Sequence, residues 1–387
     1  KLNKIANWFS LTESNISNFK IDKIIDVSLE YTLQTSLNKK VSHEIINKSL
    51  SEFKGEYYPS FVDEVRSLRC DGLSIRVGVE TKVLERGGEV IWCHDGDTAV
   101  KAILRIAEDH GVSLAVKSKS MTSEEVGLNE ALEKEGVTPV ETDLGEFIMQ
   151  LSGERPYHIV APALHKTRAQ IAELFSEKLG IDYDEEPTRL TMAARRVLRD
   201  KFQRAQMGIS GANFVVAESG AVVLVENEGN IRLTTSMPRV HVALAGIEKI
   251  IPRAADLAVF LKLLGRSASG QRLTSYTSFL SGSRRDGEIS GPERFYLLLL
   301  DNGRSRILAD HDKRQTLYCI RCGACSNICP VYRRIGGHAY PGTYSGPIGA
   351  ILTPQFQGAG HEPELPFASS LSRIRPTSRS MAVTAAK

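Results

Sequence analysis

The sequence lacks long apolar runs and a strong charge of either sign. Of its 387 residues, 42% are hydrophobic, and the formal net charge is +3. The longest apolar run, "FYLLLL", has strand length and falls far short of the ~20 residues that span a bilayer. The first residues show neither the apolar core nor the cleavage site of a secretory signal. We therefore expect a globular protein with one large or two medium domains, without a transmembrane segment and not dedicated to nucleic acid.

Several catalytic motifs are missing as well. The sequence contains no G-x-G-x-x-G, no P-loop and no G-x-S-x-G. Readings as a nucleotide-binding or acyl-enzyme protein therefore have no support. His158 and His165 flank "IVAPAL", and we predict packing or surface roles for them rather than base catalysis.

Cysteine, by contrast, is concentrated in one place. Cys319, Cys322, Cys325 and Cys329 are separated by two, two and three residues, and Pro330 follows. This is the bacterial [4Fe–4S] ligand run, whose fourth cysteine serves the other cube in two-cluster proteins. A structural zinc site normally has a longer spacer between its two knuckles, so zinc and a vestigial motif remain the weaker alternatives.

The crowding of these cysteines also bears on the cellular compartment. Disulfides between such close neighbours would close small, strained loops, so a reduced, cytoplasmic metal site is the better interpretation. The two isolated cysteines, Cys70 and Cys93, are predicted to be small buried residues.

From about residue 75, strand-like and helix-like segments alternate. "EVIWC", "VSLAVKS", "VTPVETD" and "YHIVAP" predict strands, each followed by a helical pattern. Asp97 or Thr98 would cap the first of these helices, and a Thr122–Glu125 capping box would begin the second. "ANFVVAESGAVVLVENEG" predicts a hairpin that turns at "ESG", and "VHVALAG" and "RFYLLLL" predict buried strands. The pattern indicates an α/β fold, with a mixed sheet and helices on both faces.

The two ends of the chain read differently. Within residues 1–60 the sequence predicts one or two amphipathic helices and, at 55–59, a linker. Residues 330–387 lose periodicity, and their stretch "IGGHAYPGTYSGPIGAILTPQFQGAGHEPELP", rich in glycine and proline, predicts an ordered loop. The last sixteen residues predict a disordered tail.

Polar residues among the predicted strands indicate a candidate ligand cleft. Lys117 and Lys119 precede a helix start, where they could hold an anion, although two surface lysines would look the same. The stretch 207–244 is dense in glycine and polar residues, and ordinary hairpin turns have the same composition. If the strand ends converge, the cleft residues would be Lys117, Lys119, Glu218, Asn227, Glu228, Thr234 and Arg239.

Four long stretches resemble the lactate utilisation protein B family. They are "AVKSKSMTSEEVGLNEAL", "ETDLGEFIMQLSGERPYHIVAPALHKTR", "GISGANFVVAESGAVVLVENEGNIRLTTSMPRVHVAL" and "CIRCGACSNICPVYRRIGGHAY" with the later "SGPIGAILTP". The resemblance implies an LUD domain, related in fold to ribose-5-phosphate isomerase A and glucosamine-6-phosphate deaminase, followed by a ferredoxin-type segment. It also implies that Cys319, Cys322 and Cys325 bind one [4Fe–4S] cube and Cys329 a second.

The resemblance further implies a role. Such a protein is the iron–sulfur subunit that carries electrons while L-lactate is oxidised to pyruvate, in a complex with two partner subunits and an electron acceptor. In that complex it would be an electron carrier rather than the subunit that oxidises the substrate. The implied organisation is an unmatched, partly helical segment (1–75), the LUD domain (76–305), the ferredoxin-type segment (306–371) and the tail (372–387).

The chain departs from the family where a second cysteine motif is expected. Ser372, Arg375 and Arg379 stand at the three cysteine positions, and arginine has no lone pair to offer a metal. We therefore expect at most one [4Fe–4S] cluster, incomplete and labile. The alternatives are an LUD-domain enzyme or ligand-binding subunit whose cleft takes a small carboxylate or phosphate, and a truncated, non-functional product.

Overall fold

Two β-sheets organise the part of the chain that the structure describes. The computed structural model describes residues 72–357, with side chains from 78 to 356. Its strands are β1 (Gly88–Cys93), β2 (Leu114–Lys117), β3 (Thr138–Glu141), β4 (Met207–Ser210), β5 (Phe214–Val216), β6 (Ala221–Glu226), β7 (Val240–Gly246), β8 (Ile250–Ile251), β9 (Tyr276–Leu280) and β10 (Arg294–Leu300). The larger sheet has the order β1–β10–β7–β4–β2–β3, and every neighbouring pair runs parallel.

The helices of this region are mostly short. They are α1 (Gly72–Leu84), α2 (Gly96–Asp109), α3 (Met121–Glu125), α4 (Leu128–Lys134), α5 (Leu144–Ser152), α6 (Arg168–Leu179), α7 (Pro187–Arg204), α8 (Asn230–Ser236), α9 (Leu257–Ser269), α10 (Arg304–Ala309), α11 (Ala324–Ile328), α12 (Tyr332–Ile335) and α13 (Gly346–Gln357). Single 3₁₀ turns lie at Ile247–Lys249, Arg314–Tyr318 and Gly337–Ala339. No helix in the described range is long and apolar enough to cross a membrane.

The parallel sheet is buried on both faces, which explains its nearly continuous apolar strands. In β7, Val242 and Leu244 join a core that α2 and α4 complete. Ala243 and Ala245 point the other way, into a core shared with α1 and the second sheet. A third core lies between β2–β3 and α5–α7.

The second sheet has the order β8–β5–β6–β9 and contains the predicted hairpin. β5 and β6 pair antiparallel, and Gly220 in the turn between them has a φ of +68°, which favours glycine. Its outer face packs on α9 and on Tyr318, Ile320 and Cys322. The expected α/β class is confirmed, although the strands form two sheets rather than one: the larger is wholly parallel, and the smaller is mixed, with β5 and β8 parallel.

Four local predictions were wrong, one of a strand, one of a helix and two of helix caps. "YHIVAP" forms no strand, since residues 153–167 are an irregular connection between α5 and α6. The helix predicted after β2 is split into α3 and α4 at Gly127, whose φ of +63° ends a helical path, and Ser120 rather than Thr122 caps α3. Asp95, not Asp97 or Thr98, caps α2 by accepting from the backbone N–H of Thr98.

The cysteines lie in a compact segment that follows the parallel sheet. We call residues 314–356 the cysteine segment and residues 78–300 the α/β body. The segment contains two 3₁₀ turns and helices α11–α13, so "SGPIGAILTPQFQ", predicted as loop, is helical. The predicted helices and linker of residues 1–60, Cys70, the positions 372, 375 and 379, and the predicted tail all lie outside the described residues.

Candidate functional site

A cavity of about 280 Å³ opens at the carboxyl ends of four parallel strands. Its walls include residues 119–122 after β2, Asp143 after β3, residues 211–213 after β4, and Glu248 and Lys249 after β7. Open parallel sheets bind their ligands at this edge, where the loops that follow the strands meet. Ile320 and Arg321 of the cysteine segment form another wall. The cavity is therefore shared between the α/β body and the loop that carries the cysteines.

Three of the seven predicted cleft residues line the cavity: Lys119, Asn227 and Glu228. The ammonium group of Lys119 donates to the carbonyl oxygen of Val160 at 3.0 Å and lies 3.4 Å from Asp143 Oδ2. Glu228 Oε2 accepts from the backbone N–H of Leu144 at 3.2 Å. Burial, together with the charge of Asp143, raises the pKa of Glu228. The charge of Lys119 is thus already paired with a carboxylate, and the wall of the cavity carries groups of both signs.

Two further cleft residues, Lys117 and Thr234, are buried and do not line the cavity. Lys117 is 1% exposed, its ammonium group is 2.7 Å from Glu141 Oε1, and it donates to Ser123 Oγ at 3.0 Å. Thr234 is fully buried, with its hydroxyl 3.3 Å from that of Thr142. Both side chains hold neighbouring elements together, so neither presents a free group to a ligand.

The other two lie away from the cavity. Glu218 is in the β5–β6 turn, where its carboxylate accepts from the backbone N–H of Ala254 at 2.9 Å. Arg239 precedes β7, at the amino edge of the parallel sheet, and donates to the carbonyl oxygen of His110 at 2.5 Å. The structure therefore does not bring these two residues to the carboxyl edge.

A buried ionic network joins the α/β body to the cysteine segment. Arg304 is 0% exposed, and its two terminal guanidinium nitrogens donate to Oε1 and Oε2 of Glu125 at 2.9 and 2.8 Å. Its Nε lies 2.5 Å from Glu248 Oε2, and Glu248 Oε1 lies 3.4 Å from Arg321. Tyr344 donates to Glu125 Oε2 at 2.5 Å, and the Arg321 guanidinium stacks over its ring at 4.6 Å.

The charges in this network fix its protonation. Burial alone would raise the pKa of Glu248, but the charges of Arg304, Arg321 and Lys249 outweigh it and hold the pKa at about 2. Sequence reasoning missed these residues because they are far apart along the chain. Only Arg321, inside "CIRC", carried a signal: a charged residue within a loop of otherwise small or aliphatic side chains.

The cysteine loop is held by unusual backbone geometry. Arg321 has a φ of +63°, in the left-handed region that non-glycine residues rarely adopt, and its N–H lies 3.4 Å from Cys319 Sγ. Gly323 takes the same region at +76°. After the loop, the N–H of Tyr332 points to Cys329 Sγ at 3.5 Å. Backbone N–H groups aimed at sulfur are a feature that tunes iron–sulfur sites.

The donor set fits an iron–sulfur cube better than a single metal ion. Burial raises the pKa of the Cys322 thiol to about 12 and also raises the pKa of Cys325. Such thiols give up their protons when a metal binds. Four thiolates on one zinc would lie about 3.8 Å apart, from Zn–S bonds of about 2.3 Å. Among the described residues, no three cysteine sulfurs lie within 4.8 Å of one another, so the loop does not have the close sulfur spacing of a zinc site.

The segment is docked on the α5–α6 connection. His158 is 5% exposed, its Nε2 is 3.0 Å from Asn327 Oδ1, and its Nδ1 accepts backbone N–H groups, consistent with the predicted packing role. Tyr332 donates to the carbonyl oxygen of Tyr157 at 2.6 Å. A Cβ on Gly337 would lie 1.7 Å from that same oxygen, so only glycine permits this approach.

Two different family models match the α/β body and the cysteine segment. The family model described as the LUD domain matches residues 78–300, and the one described as a 4Fe-4S dicluster domain matches residues 315–369. A solved structure of a DUF162 family protein from Deinococcus radiodurans aligns with 59% of this chain and 98% of its own, at 11% identity and a TM-score of 0.33.

Several curated relatives are named lactate utilization protein B. Lactate utilization protein B of Shouchella clausii (strain KSM-K16) is 45% identical over 318 residues, covering 82% of this chain and 67% of that protein. The protein of the same name from Bacillus subtilis (strain 168) is 46% identical, covering 82% and 66%. The "Uncharacterized electron transport protein YkgF" of Escherichia coli (strain K12) is 46% identical, covering 75% and 61%. The chain thus spans about two thirds of the length of these relatives.

Proposed function

The chain belongs to the LUD-domain family and, within it, to the lactate utilisation B proteins, and we propose that it is an electron-transfer subunit in the oxidation of L-lactate to pyruvate. One observation carries the proposal: the cysteine loop forms a wall of the cavity at the carboxyl edge of the α/β body. Electrons that a partner subunit delivers at the mouth of that cavity would have a short path to the cysteines. A bound [4Fe–4S] cluster would supply one-electron transfer.

The chain's own residues would place and insulate that cluster. Cys319, Cys322 and Cys325 would hold it, and the N–H of Arg321 would donate toward sulfur. The charge of Arg321 would favour the reduced, more negative state, with Glu248 moderating the effect. We propose that the lactate-oxidising site belongs to a partner subunit, and that this complex works in the cytoplasm with a separate electron acceptor.

We further propose that this chain holds at most one such cluster. Two cubes with four ligands each need eight thiolates, whereas the chain has six cysteines. Cys93 lies in a hydrophobic core of the parallel sheet, away from the loop. Anaerobic reconstitution followed by iron and sulfide counting tests this. About eight irons per chain, retained against a chelator, would contradict it.

The test of function uses the assembly that the tagged full chain captures from its host. Under anaerobic conditions, L-lactate should bleach the visible absorption of the cluster, whereas D-lactate, the matched control, should not. The Cys322→Ser chain should assemble with the same partners yet give no bleaching. Bleaching by dithionite but not by L-lactate, in an assembly that still forms pyruvate, would exclude the chain from the electron path.

A second candidate function rests on the cavity itself. Its volume, its place at the carboxyl edge, and Lys119 in its wall favour a ligand site for a small carboxylate. Calorimetry with L-lactate and pyruvate tests this on the full chain. Lys119→Met should weaken binding about tenfold or more, as expected for one lost charge-assisted contact. Lys101→Met, on the exposed face of α2, should leave it unchanged. Equal binding by the two variants would contradict a role for the cavity.

A further inference from the structure

Glu154, His165 and His338 meet where the α5–α6 connection touches the cysteine segment. One ligand atom from each residue lies within 4.8 Å of the other two. Glu154 Oε2 is 3.0 Å from His165 Nε2, and the two imidazole rings stand at 74° with centroids 4.9 Å apart. Among the described residues, this is the one group of three or more His, Cys, Asp or Glu side chains that converges so closely. We propose that it binds a divalent transition-metal ion of the zinc class.

The surroundings of His338 resemble those of a metal ligand. Its Nε2 lies 2.7 Å from the carbonyl oxygen of Arg155. Because a carbonyl oxygen only accepts, Nε2 carries the proton and Nδ1 keeps its lone pair. Histidines that bind metals usually donate their other ring N–H to a carbonyl or carboxylate in this way, which fixes the tautomer.

The ring of His165 is directed toward the same point. Because the carboxylate of Glu154 accepts, Nε2 of His165 donates to it, and the buried Nδ1, which has no hydrogen-bond partner, keeps the lone pair that a metal ion would take. Tyr157 stacks on this ring at 4.7 Å and 28°, and meets the ring of His338 edge-on at 5.2 Å. One aromatic side chain therefore orients both imidazoles.

The carboxylate of Glu154 is divided between two neighbours. Lys166 donates to Oε1, while Oε2 faces His165. These contacts hold the pKa of Glu154 below its usual range, so the carboxylate is ionised at neutral pH. A metal ion at Oε2 would leave Lys166 on the outer oxygen, although the ammonium charge would repel the ion.

Two imidazoles and one carboxylate are a donor set that zinc accepts, and three protein ligands leave a fourth position for water. The ligands come from two regions: Glu154 and His165 from the α5–α6 connection, and His338 from the 3₁₀ turn after α12. An ion here would tie the cysteine segment to the α/β body. It would be distinct from the iron site, since none of its ligands is a cysteine.

The experiment loads the full, anaerobically reconstituted chain with zinc at buffered free concentrations and counts zinc by mass spectrometry. We expect about one zinc per chain and a rise in Tm on loading. His165→Gln and His338→Gln should each weaken zinc binding about 100-fold. Loss of a residue that only hydrogen-bonds to a metal ligand costs at most about that much, and these two histidines would bind the ion directly. His311→Gln, at an exposed histidine, is the matched control and should bind like the wild type.

Two further variants separate this site from its rivals. Zinc that disappears in Cys322→Ser but persists in both histidine variants would place the ion on the cysteines and overturn the proposal. Lys166→Met removes the competing cation, so it should tighten zinc binding several-fold, an effect that a merely structural role of the cluster would not produce. No zinc uptake by the wild type, or weaker uptake by Lys166→Met, would also overturn it.

Discussion

Replacing Arg304 should destabilise the protein by about 3 kcal/mol at neutral pH. Arg304 is 0% exposed and lies between the carboxylates of Glu125 and Glu248. In Arg304→Met, Glu125 would keep the hydroxyl of Tyr344 and the amide of Asn302 as donors. Glu248 would keep a charge contact to Arg321 at 3.4 Å and would lose its closest partner. The cost therefore falls mainly on Glu248.

The magnitude follows from the protonation of Glu248. In the folded protein its pKa is about 2, against 4.5 for an unperturbed glutamate. If the pKa returned to the unperturbed value, the lost stabilisation above pH 5 would be about 3 kcal/mol, from about 1.4 kcal/mol per pKa unit. Removing one member of a buried ion pair typically costs 3–5 kcal/mol, which agrees.

The sign of the pH dependence gives a second readout. A carboxyl group whose folded pKa is depressed stabilises the protein above its unfolded pKa, and this contribution disappears as pH falls through the folded pKa. The gap between the wild type and Arg304→Met should therefore be full at pH 7 and should narrow between pH 5 and pH 2.

The assay is anaerobic urea unfolding followed by far-UV circular dichroism. Arg196→Met, at an exposed position of α7, should stay within about 0.5 kcal/mol of the wild type. Adding Glu248→Gln to Arg304→Met should restore part of the loss, because the uncompensated charge is then gone. A loss below about 1 kcal/mol at pH 7, or a gap that does not narrow at low pH, would refute the reasoning.

Three other perturbations give separate tests. Burial raises the pKa of Glu124 to about 7, so the stability of the folded protein should fall as the pH rises from 4.5 to 7. Glu124→Gln should therefore unfold at a higher urea concentration than the wild type at pH 8 but not at pH 5. Equal urea midpoints at pH 8 would contradict this. In Gly208→Ala the new Cβ would lie 1.9 Å from the carbonyl oxygen of Thr234, which would force β4 and α8 apart. Urea unfolding should therefore show that the free energy of unfolding falls by about 3 kcal/mol. An unchanged free energy would show that α8 can shift. Burial raises the pKa of the Cys93 thiol to about 11, so maleimide should label it at neutral pH only in urea, and rapid labelling of the folded chain would contradict its burial.

The parts of the fold that were predicted correctly are those whose signal is local. "RFYLLLL" and "VHVALAG" are apolar throughout because both faces of the parallel sheet are covered, and they became the central strands β10 and β7. The hairpin β5–β6 was found because its turn contains Gly220 between two β-rich runs. The cysteine motif, whose spacing is typical of [4Fe–4S] ligands, lies within the residues that the 4Fe-4S dicluster family model matches.

The wrong helix caps differ by a few residues from the observed ones, whereas the error at "YHIVAP" arose because its deciding partners lie far along the chain. "YHIVAP" has the composition of a strand, but its residues pack against the cysteine segment. His158 contacts Asn327, and the carbonyl oxygen of Tyr157 accepts a hydrogen bond from the hydroxyl of Tyr332. Those partners are 169 and 175 residues away in sequence. Composition also could not distinguish Lys119, which lines the cavity, from Arg239 at the opposite edge of the sheet. Both are basic residues beside a buried strand, but Lys119 follows β2 and Arg239 precedes β7.

The two candidate functions are physically coupled through Arg321. Its side chain lines the cavity and faces Glu248, while its backbone N–H points to Cys319 Sγ. A carboxylate that drew the guanidinium into the cavity would alter the charge beside the cysteines. By linkage, a ligand that binds the oxidised chain tenfold more tightly lowers the one-electron potential by about 59 mV, and reduction then weakens its binding by the same factor. Such a chain would release its ligand upon accepting the electron, so the cavity and the cysteine loop would act as one unit.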